Sequence, residues 1–157
     1  MTTKEIIIQE LELFNDSIRQ TLNSKRISNT GEAENSLRVE FGKSGNSDIF
    51  KSIGIFYLEF LDTGRGGGNP PPFNKILLWA MQKTGQPKEE VWGLAVYVRN
   101  KIAEMGTAIF RDNSKGIELD KKTQELKENV LIQIKKNEVA QITQKLDFFK
   151  NKYKLSL

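Results

Sequence analysis

The sequence predicts an α+β fold: an N-terminal helix, a small antiparallel sheet, two central helices and a long C-terminal helical extension. Three patterns carry that prediction. Ile7, Leu11, Phe14, Ile18 and Leu22 recur at the spacing of one helix face. Leu37, Val39 and Phe41 alternate with Arg38 and Glu40, the period of a half-buried strand. Apolar positions return at helical spacing from Leu119 to about Tyr153. The chain divides into an α+β domain over 1–112 and a basic helical extension over 113–157.

Each element has a local reason. Thr2 or Thr3 caps the first helix, with Glu5 in its first turn, and the helix stops near Ser24. Asn29-Thr30-Gly31 marks a loop. Ser36 to Gly42 forms a strand, Lys43 to Ser47 a turn, and Asp48 to Leu61 a longer strand with Gly54 as a bulge. Residues 62–72, DTGRGGGNPPP, resist regular structure, because glycine permits positive φ and proline fixes φ near about −65°. Pro72 suits the first turn of a helix whose apolar face is Phe73, Ile76, Leu77 and Ala80, ending at Gly85.

Pro87, Glu89 and Glu90 start the next helix, with the acids placed to complement its dipole. Its core face is Val91, Leu94, Ala95, Val98 and Ile102, and Gly106 ends it. Thr107 to Phe110 reads as a short strand and 112–116 as a polar linker. The final pattern runs through Leu126, Val130, Ile134, Val139, Ile142, Leu146 and Phe149, as one long helix or two broken near Lys136-Asn137.

Composition removes several kinds of chemistry. The 157 residues include no cysteine and no histidine. Disulfides, thiolate nucleophiles, zinc sites built on His or Cys, and His-dependent triads are therefore unavailable. No stretch is long and apolar enough to span a membrane, and residues 1–20 lack the unbroken apolar core of a secretory signal. No cofactor or metal is expected. The net charge of +4 lies in the extension, since 1–112 balances 14 basic against 14 acidic side chains. Lys150, Lys152 and Lys154 close the chain, a tail suited to DNA or to an acidic protein surface, or simply a solvated helix face.

Short motifs need structural context before they carry chemistry. Asp62-Thr63-Gly64 follows two apolar residues, as in the catalytic loop of retroviral-type aspartic proteases. That chemistry needs two carboxylates sharing a proton. Here an arginine follows the motif and the chain is mostly helical, so Asp62 and Gly64 read better as turn formers. Gly64-Arg65-Gly66-Gly67-Gly68 lacks the Gly-Lys-Ser/Thr ending of a phosphate loop, and its prolines lack the N–H groups that cradle phosphate. Trp79, Trp92 and Tyr97 offer base-stacking faces, but beside apolar partners at helical spacing they read as core. Glu59, Glu89 and Glu90 form no acid/base pair.

Taken together, these elements resemble the small head–tail connector and tail-completion proteins of tailed bacteriophages. Thr30-Gly31 before Ser36-Leu37-Arg38-Val39, then Tyr57, Phe60, Thr63 and Gly64, then Pro71, Pro72 and Phe73, carry the likeness. Arg65, Gly66, Pro71, Pro72, Ile76 and Trp79, with the Ala95–Gly106 segment ending at Thr107, resemble the version found in phages of gut bacteria, including the crAss-like group. The resemblance covers 5–112. It implies a non-enzymatic virion protein of the neck, made in the host cytoplasm. It also implies a homo-oligomeric ring of about six or twelve copies around the DNA channel, contacting the portal or adjacent neck and tail rings. Loop 62–73 would then dock on a neighbour, with Asp62, Arg65, Asn69, Pro71, Pro72 and Phe73 as interface residues. The basic tail would face DNA or a partner. A DNA-binding accessory protein acting through that tail is the second reading.

Overall fold

The computed structural model describes residues 1–25, 27, 31–55 and 57–153, with the side chains of 149–153 outside the described residues. Helix α1 (Thr3–Ser24) leads through α2 (Glu32–Ser36) to a hairpin of β1 (Arg38–Ser44) and β2 (Ser47–Ile53). Then follow α3 (Leu58–Thr63), α4 (Phe73–Thr84), α5 (Lys88–Met105), α6 (Ala108–Arg111) and α7 (Leu119–Tyr153). The architecture is the α+β arrangement read from the sequence. Packing sorts the chain into two compact units. One comprises Met1–Asp16, Val39–Ser52 and Asp120–Leu157, and the other Ser17–Arg38 and Ile53–Leu119.

In the first unit, α1 begins with a closed capping box. The Thr2 backbone N–H donates to Glu5 Oε2 at 2.8 Å, and the Glu5 N–H donates to Thr2 Oγ1 at 3.2 Å. The Thr2 backbone N–H, helped by the Thr2 hydroxyl and the chain's amino terminus, holds the Glu5 carboxyl below its ordinary value of 4.5. Ile6, Leu11 and Asn15 are buried along this half of α1, and Asn15 Oδ1 accepts the Ser52 hydroxyl at 2.5 Å. The hairpin turns on Gly45-Asn46. Positive φ falls on Gly45 alone, as a II′ turn requires. Phe41 and Phe50 meet across the strands at 5.2 Å, and Lys4 Nζ lies 3.6 Å above the Phe41 ring.

The second unit buries Ile18 and Leu22 of α1, Ala33, Leu37 and Ile117. Arg19 reaches across to α2, donating from Nε to Glu34 O at 3.2 Å and from Nη2 to Leu37 O at 2.5 Å. The α4/α5 pair has its own core of Leu77, Ala80, Val91 and Ala95, flanked by Phe73, Ile76, Trp79 and Met81. Gly85, left-handed at φ 71°, stops α4 where the sequence expects it to stop.

Three expectations are corrected. The strand expected over 48–61 ends at Ile53, and its remainder turns into α3. A two-residue turn joining Ser44 to Ser47 sets Arg38 opposite Ile53, so β1 has no backbone left to pair with anything beyond. Unpaired strand groups are costly to bury. The Ile55 N–H turns instead to Ser36 Oγ at 2.9 Å, and Leu58 N–H closes a turn on Ile55 O at 3.0 Å. The strand expected at Thr107–Phe110 is the short helix α6 with Thr107 at its N-cap, for want of a strand to pair with. Helix α7 runs 35 residues without a break at Lys136-Asn137. An asparagine inside a helix costs only about 0.7 kcal/mol, too little to interrupt it.

Candidate docking site

Helix α3 closes on Gly64, whose φ of 76° and N–H to Phe60 O at 3.0 Å cap it. A side chain could not replace that hydrogen, since a Cβ there would stand 2.4 Å from Phe110 N. From Gly64 the chain lies along the end of α5 and the start of α6. Arg65 and Thr107 exchange two bonds: Thr107 N–H to Arg65 O at 2.8 Å and Arg65 N–H to Thr107 Oγ1 at 2.9 Å. Gly68 N–H donates to Ala103 O at 2.7 Å, and Arg99 Nε donates to Pro71 O at 3.1 Å. The Arg65 guanidinium folds back on Asn69 O, and the Gly66 backbone lies against the Phe110 ring.

The loop is thus fastened to its own subunit at Arg65, Gly68 and Pro71, while Gly67, Gly68, Asn69 and Pro70 are exposed. Arg65 is half-buried, Pro71 is buried, and Pro72 is exposed at the N-cap of α4. Phe73 is half-buried and sets its ring edge-on to Trp92 at 4.5 Å.

Of the expected interface residues, Pro71 and Asp62 are buried, and Asp62 is also held through its side chain. It is 3% exposed, and its Oδ1 accepts the N–H groups of Ile117 at 2.9 Å and Glu118 at 2.6 Å. Its backbone O accepts Gly116 N–H at 2.7 Å. The role expected for it at an intermolecular surface is corrected: its carboxyl is occupied inside the subunit by main chain 55 and 56 residues away. The same burial removes it from the open, paired geometry that an aspartic-protease reading needs. Gly116 permits the approach, because a Cβ there would overlap Leu61 O at 1.8 Å. Lys25 Nζ braces the same turn through Glu118 Oε1 at 3.0 Å and Lys115 O at 3.3 Å.

Trp92 and Tyr97, expected in the core, are 47% and 61% exposed, while Trp79 is half-buried. The core of the helix pair takes Val91 and Ala95 from α5 and leaves these larger neighbours outside it. Lys150 and Lys152 lie in α7 with side chains outside the described residues, and Lys154 and Thr30 lie outside the described residues altogether.

Residue reasoning missed Arg99, Phe110 and Gly116. The one available signal is that two glycine-bearing turns, 64–68 and 106, lack side chains where a neighbouring backbone could approach. Tyr57 also gained a partner: its hydroxyl donates to Glu32 Oε2 at 3.2 Å. Burial, then the charge and hydrogen bond of Glu32, push the Tyr57 phenol up. Among the described residues no helix is long and apolar enough to cross a membrane, and no group of three acidic residues could hold a metal ion.

Comparison with protein families, curated proteins and solved structures gives no match.

Proposed function

We propose that this chain is a structural virion protein, one subunit of a ring in a phage head–tail connector through which DNA passes. The observation that carries the reading is the fastened loop. It is held at Arg65, Gly68 and Pro71 by four hydrogen bonds to α5 and to Thr107, and residues 67–70 are exposed. A projection already ordered before contact loses little entropy on docking. Arg65 and Phe73 at its base are residue types that dominate interface energetics. A head-to-tail contact of this segment with a different face of a neighbour closes into a ring if the rotation fits. The sequence resemblance supplies the virion setting, the neck position and the six- or twelve-fold copy number as part of the proposal.

Negative-stain imaging of the purified chain, alone and mixed with the products of its neighbouring genes, tests the reading. Rings or stacked discs are expected in the mixtures, and Asn69→Trp in the exposed segment should abolish them without lowering the melting temperature. Monomers in every mixture would overturn it. The alternative, DNA binding through Lys150, Lys152 and Lys154, predicts an affinity that falls steeply with salt.

A further inference from the structure

Helix α7 carries two apolar faces. Leu119, Leu126, Val130 and Ile134 are half-buried. Leu131, Ile132, Val139, Ile142 and Leu146 are 58%, 48%, 62%, 58% and 62% exposed. At about 100° per residue these five fall within an arc of roughly 100°. That arc is centred roughly opposite the half-buried one. The pocket between α1 and α7, lined by Ile6, Glu10, Gln133 and Asn137, lies on the half-buried side. The exposed stripe therefore faces away from its own subunit's α1.

The stripe has heptad form, with Ile132, Val139 and Leu146 as one core set and Lys135 and Ile142 as the other. Charges beside it choose the occupant and its direction. A second copy packed parallel would stack Lys135 on Lys135 in one layer and set Lys145 beside Lys150. A second copy packed antiparallel, with Val139 against Ile142 of that copy, sets Glu138 beside Lys145 twice by symmetry. It also lays the Lys135 stem on Leu146, leaving its ammonium free to reach water. Glu138 and Lys145 are both exposed.

We infer that two copies of this chain pair through residues 131–146 of α7 as an antiparallel two-helix coiled coil. The contact is isologous, so it joins two subunits or two assemblies face to face. It rests on the stripe and its flanking charges and not on the ring reading.

The absence of cysteine gives a clean test. Sedimentation of the full chain from micromolar to millimolar concentration should show a reversible monomer–dimer equilibrium. Ile142→Glu should abolish it with no change in melting temperature at concentrations where the parent is monomeric, because the side chain it replaces is exposed. Lys145→Glu should weaken it about tenfold, and the double variant Glu138→Lys/Lys145→Glu should restore it. Mixing Val139→Cys with Ile142→Cys under mild oxidation should yield the mixed disulfide. A monomer over the whole range, a stripe protected only by a different polypeptide, or disulfides between like variants would each overturn the proposal. Loss of the dimer in Ile142→Glu with rings intact would separate this contact from ring closure.

Discussion

The loop from Gly64 to Pro72 and the distal half of α7 are opposites in how they spend their polar and apolar groups. The loop carries no large aliphatic or aromatic side chain, yet it is held at Arg65, Gly68 and Pro71 by hydrogen bonds to α5 and Thr107. The distal half of α7 is regular helix, yet Val139, Ile142 and Leu146 stand exposed on it. Glycine and proline composition therefore does not by itself mark looseness, and regular helix does not by itself mark a finished surface. What separates them is whether main-chain groups and apolar side chains find partners inside the same subunit. The loop's hydrogen bonds are intramolecular, while the α7 stripe is left exposed among the described residues.

Substitutions that break this contrast are ordered by size. Gly116→Ala should have the largest effect, about 3 kcal/mol or more, because its methyl would overlap Leu61 O and move the turn away from Asp62. Chemical denaturation measures it, and a loss under about 1 kcal/mol would show that the turn moves freely. Asp62→Ala should cost about 2–4 kcal/mol by orphaning the Ile117 and Glu118 N–H groups. Asp62→Asn keeps an acceptor oxygen and should cost clearly less. Equal costs for the two would mean that the hydrogen bonds are not what matters.

Thr107→Val should cost about 1–2 kcal/mol, since it keeps the shape but removes the oxygen that accepts Arg65 N–H. Faster amide exchange over 65–68 reads the same change locally. In α7, Leu146→Gln should leave unfolding within about 0.5 kcal/mol of the parent at concentrations where the chain is monomeric. A large loss there would place Leu146 in the subunit's own core.

The smallest effect is the capping box. The Glu5 pKa is depressed in the folded chain, so its contribution is present above the unfolded value near 4.5 and is lost as the pH falls below it. Melting temperatures of the parent and Glu5→Gln should therefore differ at neutral pH and converge in acid. Tyr57 has the opposite sign. Its pKa is raised, so its contribution is present below about 10 and is lost as the pH rises through the folded value.

Local signals were legible where they set backbone dihedrals or a period. The apolar spacing of α1 and α4, most of the α5 face, the hairpin, the Gly85 stop and most of the irregular 62–72 segment could be read from neighbouring residues, but Asp62 and Thr63 end α3 and Leu94, expected in the α5 core face, is exposed. The aromatic, β-prone stretch after Ile53 misled, because whether a strand continues depends on a partner and not on its own side chains. Trp92 and Tyr97 misled because spacing places an apolar residue on a helix face without saying whether anything covers that face.

By itself the sequence determined the helices α1, α4, α5 and α7, the hairpin, a threonine cap at position 2 or 3 with Glu5 in the first turn, and the absence of thiol and imidazole chemistry. These follow from φ, ψ, side-chain period and residue identity, which act within a few positions. Only tertiary structure decided that Asp62 serves the turn at 116–118 and that Thr107 holds Arg65. Those outcomes depend on which backbone N–H comes within 3 Å of which oxygen across more than 40 residues of chain. That distance is set by packing, and no local pattern encodes it.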